Sequence, residues 1–177
     1  MDKADLRRMA RRLPPPTEEE SGLVRAHLAE WLRSLGPALV VAFHPLPDEV
    51  DLRPLLGAVD GIRWALTRTE PTGLTVHPAE APLERHRFGF MQPVKDAPRL
   101  SPDQVDVVLV PGLLFDRRGG RLGRGAGFFD RFLQTVRAIK VGVAVERRLV
   151  DRLPTGPEDV PMDLIVTEAG IYRIPPG

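Results

Sequence analysis

The chain contains no cysteine and no asparagine. Without Cys there is no disulfide framework, no thiolate zinc site and no Cys nucleophile. No apolar run approaches the roughly 18 residues that a membrane helix needs, and the opening Met1-Asp2-Lys3-Ala4-Asp5 lacks the pattern of a signal peptide. An excess of one charge is missing too: 25 Lys and Arg face 24 Asp and Glu, for a net charge of +1. So even a balance sets up no field over the whole surface, which disfavours a general nucleic-acid or membrane-surface binder but leaves room for a local basic patch. The expectation is a cytoplasmic protein with no nucleic-acid partner and no membrane partner.

A length of 177 residues suits one α/β domain and is too short for two of full size, and 42% hydrophobic residues suffice for an ordinary core. Twenty-two of the 25 basic residues are Arg, Gln stands only at Gln92, Gln104 and Gln134, and there are 19 prolines. Few heat-labile side chains and proline-rich loops fit a thermophile. Codon bias in a GC-rich genome accounts for the same counts, and the two explanations are compatible.

Residues 2–13 read as a short basic helix with Leu6, Met9 and Leu13 on one face, stopped by Pro14-Pro15-Pro16. Thr17 with Glu20 three positions on forms a capping box, and Leu23, Leu28, Trp31, Leu32 and Leu35 continue an apolar stripe to Gly36-Pro37. Ala38 to Phe43 is a short apolar run of the kind found in buried parallel strands. A helix is expected over 51–59, strands over 62–67 and 74–78, and proline-rich charged loops around 78–87 and 92–103. Val105 to Val110 is the strongest strand, Phe128 to Val136 should be helical, and further strands are expected at 139–145, 164–167 and 171–174. Strands alternating with helices predict a three-layer α/β fold with a mostly parallel central sheet, and the absence of repeats or linkers predicts a single domain over 1–177.

The stretch from Pro111 to Arg131 concentrates the chemistry. Between Asp116 and Asp130 lie five glycines and four arginines, after a strand and before a helix. Loops at the carboxyl ends of strands hold ligands in open α/β sheets. Gly123, Gly125 and Gly127 allow positive φ and close approach to a phosphate, and the N–H groups at the start of the following helix face the anion. Arg121 and Arg124 offer charge-assisted hydrogen bonds, and Asp130 suits Mg²⁺, which takes one or two carboxylates plus substrate phosphates. The spacing is neither a Walker A loop nor a Rossmann fingerprint. A solvated glycine-rich turn is the bland alternative. Elsewhere His27, His44, His77 and His86 form no metal pattern, Ser21, Ser34 and Ser101 no nucleophile elbow, and Trp64 reads as core. Arg85-His86-Arg87 reads as a solvated loop or as a contact for an acidic substrate tail.

The run Val-Pro-Gly-x-x-Phe-Asp-x-x-Gly-x-Arg-Leu-Gly-x-Gly-x-Gly-Phe128-Phe129-Asp130-Arg131-Phe132-Leu133 resembles the signature of the 5-formyltetrahydrofolate cyclo-ligase family, the methenyltetrahydrofolate synthetases. Lys3-x-x-Leu6-Arg7, Glu49-Val50-Asp51, Phe88 to Pro93 and the stretch Gly142 to Thr167 resemble further family segments in the same order, so the likeness covers essentially the whole chain. It implies an enzyme that uses ATP and Mg²⁺ to close 5-formyltetrahydrofolate to 5,10-methenyltetrahydrofolate, with ADP and phosphate as the other products. Phosphoryl transfer asks for positioning and charge neutralisation, which arginines and backbone N–H groups supply without Cys or a triad.

By that resemblance Lys3, Arg7 and the loop Arg121, Leu122, Gly123, Arg124, Gly125, Ala126, Gly127, Phe128 and Phe129 would hold ATP. Asp130 and Asp159 would bind Mg²⁺. His44, Glu49 and residues 124–128 would face the folate, with Arg124 and Phe128 as the catalytic residues. The partner would be a reduced folate, and the protein a monomer or small homo-oligomer. Phe128-Phe129 stand where the family has Tyr-Tyr, Leu52 where it usually has Thr, Gln92 where it has Glu, Arg148 where it often has Gln, and Glu158 where many members have His. A cyclo-ligase-like protein acting on another acceptor, or a non-catalytic module for nucleotide or RNA phosphates, are the competing functions; one Tyr and a net charge of +1 weigh against RNA.

Overall fold

A computed structural model describes residues 1–177. In chain order the elements are α1 (Lys3–Arg11), α2 (Glu18–Leu35), β1 (Leu39–Ala42), β2 (Arg63–Glu70), β3 (Gly73–Pro78), β4 (Leu83–Arg85), β5 (Met91–Pro93), β6 (Val107–Val110), β7 (Leu114–Asp116), β8 (Arg121–Leu122), α3 (Phe128–Leu133), β9 (Ile139–Val143), β10 (Leu149–Val150), β11 (Leu164–Thr167) and β12 (Gly170–Arg173). The main sheet runs β12-β11-β9-β6-β1-β2-β3. Its five inner strands are parallel, and the edge strands β3 and β12 are antiparallel to their neighbours. This is the three-layer, mostly parallel α/β fold that the sequence predicts.

Alternation along the strands builds the two faces. Val107 and Leu109 of β6 join Val40 and Ala42 of β1 in a core covered by Val24, Leu28 and Leu32 of α2. Val108 and Val110 join Val41 and Ala65 in the opposite core, under Phe132 and Leu133 of α3. A third cluster packs Leu6 and Ala10 of α1 on Leu113, Leu114, Leu122 and Leu153, next to the small sheet β10-β7-β8. The capping box at α2 forms as read: Thr17 Oγ1 accepts the Glu20 N–H and Glu20 Oε1 accepts the Thr17 N–H. Gly36 closes that helix in the left-handed region at φ 67°.

Three local expectations are corrected. The helix expected over 51–59 is only a 3₁₀ turn over Arg53–Leu55, because Gly57 turns the chain away in the left-handed region at φ 86°. The helix expected to reach Val136 ends at Leu133, where the Thr135 hydroxyl takes the Phe132 carbonyl at 2.7 Å. The region expected as loops contains the hairpin β4–β5, with Arg85 paired to Met91.

β1 lies between β2 and β6, so the chain departs in opposite directions on its two sides, and a crevice opens beyond the carboxyl ends of these strands. The segment after β1 and the glycine loop after β6 both emerge there.

Candidate active site

A cavity of about 330 Å³ fills that crevice. Phe43 and His44 follow β1, Pro111 and Gly112 follow β6, and Thr67 and Thr69 come from β2. Lys3, Arg7, His44, Glu49, residues 121–130 and Asp159 all line it. The structure therefore brings together in one concavity every site residue named from the sequence, from four separate stretches of chain.

Arg121 is the most deeply set cation, with a side chain 6% exposed. Its Nη1 donates to the Pro111 carbonyl at 2.8 Å, and its Nη2 lies 3.6 Å from Asp130 Oδ1. Its Nε is buried without a partner. Burial pushes its pKa down, opposed by Asp130, Asp159 and Glu49. Arg7 Nε donates to the Gly123 carbonyl at 2.9 Å and so ties α1 to the glycine loop. Gly125 at φ 112° and Gly127 at φ 74° take the positive φ expected of them, whereas Gly123 does not. α3 is only six residues long, so its dipole is weak, and attraction for an anion falls to the cations and turn N–H groups instead.

Arg124 pairs with two acids: its Nη2 lies 2.5 Å from Asp48 Oδ1 and 3.3 Å from Glu49 Oε2. Glu49 is 9% exposed at the side chain, and its Oε1 also accepts the Leu46 N–H at 2.8 Å. Burial raises its pKa, with Arg124 and the Leu46 N–H pulling the other way. Burial, then Arg53, lowers the pKa of His44, whose Nδ1 has no hydrogen-bond partner.

Asp159 accepts from Lys3 Nζ at 3.0 Å and from the Gly156 N–H at 2.8 Å. Burial works against its charge, but the Gly156 N–H, Lys3 and Arg121 together hold its pKa below the usual carboxylate range. No three His, Asp or Glu side chains cluster closely enough to cage a metal. The donor set offers two carboxylates, Asp130 and Asp159, on one cavity wall, which fits Mg²⁺ completed by phosphate oxygens and water.

One part of the lining is not among the site residues named from the sequence, although Phe88 to Pro93 reads as a family segment and Arg85-His86-Arg87 as a solvated loop or a substrate contact. His86, Phe88, Phe90 and Met91, from the β4–β5 turn, line the cavity. The His86 ring stacks on Phe90 at 4.5 Å and 8°, and Phe88 is 59% exposed with Arg87 over its ring at 5.0 Å. The signal was the spacing of three rings two residues apart, the alternation of a hairpin arm. The structure also sorts the departures from the family pattern. Leu52 is fully buried core, Gln92 is buried with its Oε1 accepting the Thr69 N–H at 3.0 Å, and Arg148 is 2% exposed behind the site. None of these three lines the cavity, whereas Phe128, Phe129 and Glu158 do.

The chain matches the 5-formyltetrahydrofolate cyclo-ligase family over residues 7–168. It is 30% identical to the 5-formyltetrahydrofolate cyclo-ligase of Escherichia coli over 184 aligned positions, which cover 95% of this chain and 99% of that protein. Among solved structures, the 5,10-methenyltetrahydrofolate synthetase of Aquifex aeolicus superposes with a TM-score of 0.82 at 34% identity, covering 100% of this chain and 95% of that one. The Mycoplasma pneumoniae synthetase shares the fold at a TM-score of 0.76 and 23% identity, covering 95% and 99%. With the family signature on the cavity wall and the likeness running through the whole fold, this chain belongs to the 5-formyltetrahydrofolate cyclo-ligase family.

Proposed function

We propose that the cavity takes Mg·ATP against Lys3, Arg7 and Arg121 and 5-formyltetrahydrofolate against Glu49 and the β4–β5 turn, and that the protein closes the folate to 5,10-methenyltetrahydrofolate with release of ADP and phosphate. The observation that carries this reading is one cavity lined both by the cations Lys3, Arg7 and Arg121 and by Glu49 with the rings of the β4–β5 turn. The buried, unpartnered Nε of Arg121 is a donor awaiting an acceptor, which a phosphate oxygen supplies.

ATP supplies a phosphoryl group that turns the formyl oxygen into a phosphate leaving group, and Mg²⁺ offsets the charge on the phosphates. The chain's part is placement. Lys3, Arg7 and Arg121 converge on the phosphates, with Asp130 and Asp159 positioned to hold the metal ion beside them. Glu49 accepts hydrogen bonds from the N–H groups of the pterin, while Phe88 and Phe90 offer faces to a flat ring system. N10 then forms its bond to the formyl carbon as the carbon–oxygen bond breaks, and its proton leaves with the phosphate. Arg124 and Phe128 line the same cavity; Arg124 turns to the transferring phosphate, and Phe128 helps to bring the two substrates together. Because Leu52, Gln92 and Arg148 lie off the cavity, the changes that could favour another acceptor reduce to Phe128, Phe129 and Glu158.

The test mixes protein, ATP, Mg²⁺ and 5-formyltetrahydrofolate and follows the near-ultraviolet absorbance of the methenyl product. The band grows only when all four are present. A protein that binds ATP yet yields no band acts on a different acceptor.

A further inference from the structure

Arg148 carries a buried guanidinium that the fold uses only in part. It follows β9 in a 3₁₀ turn over Glu146–Arg148 and is 2% exposed. Its Nη1 donates to the carbonyls of Leu113 at 2.9 Å and Ala10 at 3.4 Å, which ties α1 to the start of β7. Its Nε and Nη2 are buried and bond to nothing. Those two atoms form one edge of the guanidinium, the edge that takes a carboxylate with two parallel hydrogen bonds. A structural tie between α1 and β7 accounts for Nη1 and leaves this edge unexplained.

Next to the substrate cavity, sharing Glu49 with it, is a second, narrow cleft lined by Arg148, Asp48 and Glu49. It leaves no room for a water molecule, so water does not satisfy the free edge there. Two arginines thus act on the acidic pair: Arg124 is bonded to it, and Arg148 lines the same cleft, close enough to feel both charges but with no ion pair to either. The remaining charge near Glu49 is Arg121, deeper in the cavity.

Arg124 has two claims on it: Asp48 and Glu49 in this structure, and the phosphates in the reaction proposed above. When it turns to the phosphates, the two carboxylates lose their bonded cation. An uncompensated buried carboxylate either takes up a proton or moves toward water, and Glu49 would then fail to hold the pterin.

We propose that Arg148 is a standby counter-ion, a positioning residue whose free Nε–Nη2 edge receives the Asp48–Glu49 carboxylates when nucleotide draws Arg124 away. The exchange lets one arginine serve the phosphates without unseating the acid that serves the folate. It rests on the reading that Glu49 holds the folate and Arg124 the nucleotide.

The test measures, by titration calorimetry, 5-formyltetrahydrofolate binding to the full chain with and without a non-hydrolysable ATP analogue and Mg²⁺. The variants are Arg148→Gln and Arg148→Lys. In Arg148→Gln, 5-formyltetrahydrofolate alone binds within about twofold of the unaltered protein, because Arg124 still neutralises the acidic pair, whereas the analogue alone binds more weakly, because drawing Arg124 away now leaves that pair uncompensated. Folate binding to the nucleotide-loaded variant weakens at least tenfold, and Arg148→Lys recovers part of that loss. Equal folate affinity in the loaded variant and the loaded parent overturns the proposal, as does a variant that weakens both single-ligand complexes alike. An unaltered protein that binds no 5-formyltetrahydrofolate overturns the underlying reading, and this inference with it. A measurement on the unaltered chain covers a Gln variant that does not fold. The Arg148 Nε–H resonance, identified by its loss in Arg148→Lys, shifts downfield on adding the analogue, and an unmoved resonance refutes the exchange.

Discussion

Lys3 Nζ lies 3.0 Å from Asp159 Oδ2, an ion pair that joins residues 156 positions apart on the lining of the cavity. It brings the helix at the start of the chain to the segment between β10 and β11, and puts a phosphate-binding candidate on a metal-binding candidate. Lys3 is 38% exposed at the side chain, so the pair contributes little to stability, under about 1 kcal/mol. Its position makes it a gauge of nucleotide binding instead.

Lys3→Met is therefore expected to raise the KM for ATP about tenfold, the loss of one charge-assisted hydrogen bond. The KM for 5-formyltetrahydrofolate should stay within about twofold, and the melting temperature within about 3 °C. Steady-state kinetics with each substrate varied in turn, plus a thermal melt, checks this. Equal changes in both KM values would remove Lys3 from the phosphate side.

Asp130 sits 3.6 Å from Arg121 and on the cavity wall. As a metal ligand, it should set the Mg²⁺ requirement: Asp130→Asn is expected to raise the Mg²⁺ concentration for half-maximal rate about tenfold, with the folate KM unchanged. A titration of rate against Mg²⁺ at saturating ATP decides. An unaltered requirement would leave Asp130 as the counter-charge of Arg121 alone.

Much of this site was legible in the sequence because its parts are local. The glycine–arginine loop states its backbone needs residue by residue, and the capping box at Thr17 and Glu20 fixes where α2 begins. Alternating apolar strands fixed the sheet, and the crossing of β1 between β2 and β6 explains why residues 43–49 and 111–130 share a crevice. What could not be read is what depends on partners far along the chain. Nothing near Arg124 in sequence announces Asp48, and nothing near Arg148 announces a cleft shared with Glu49. The 51–59 helix fails for the opposite reason: the residue that ends it, Gly57, is local and stands in the sequence. The hairpin β4–β5 is too short to show strand periodicity, so its aromatic face emerged only in three dimensions.

Glu49 is a carboxylate whose burial raises its pKa. Its charged form, the one that accepts N–H groups, is therefore lost on acidification at a higher pH than for an ordinary Glu. Folate affinity should fall as pH drops through that raised value, while affinity for the ATP analogue, held by Arg and Lys, should not follow it. The stability linkage has the reverse sign. A raised carboxyl pKa favours the folded state below the ordinary carboxylate range, and that contribution is lost as pH rises through the folded value. Glu49→Gln should remove the acid limb of the folate-binding profile and weaken binding about tenfold at neutral pH. Binding measured from acid to neutral pH gives both numbers, and an unchanged acid limb would assign it to another group.

Glu20 shows the ordinary case. Its two oxygens take Arg147 Nη1 at 2.6 Å and Nη2 at 3.1 Å, and Arg147 also binds the carbonyls of Pro14 and Pro15 at 3.0 and 2.7 Å. The pair fastens the proline bridge between α1 and α2, and so holds α1 over the cavity. Arg147 and the Thr17 N–H hold the Glu20 pKa down to about 2, against 4.5 for the free side chain. With a depressed folded pKa, the stabilisation is present above pH 4.5 and is lost as pH falls toward 2. Because both side chains are partly open to water, the effect at neutral pH is about 1–2 kcal/mol. Glu20→Gln retains an acceptor for the cap but not the charge, so its urea midpoint should lie below that of the parent at pH 7 and converge with it near pH 2. A gap that persists unchanged into acid would mean that the side chain stabilises through packing and the cap, with no contribution from its charge.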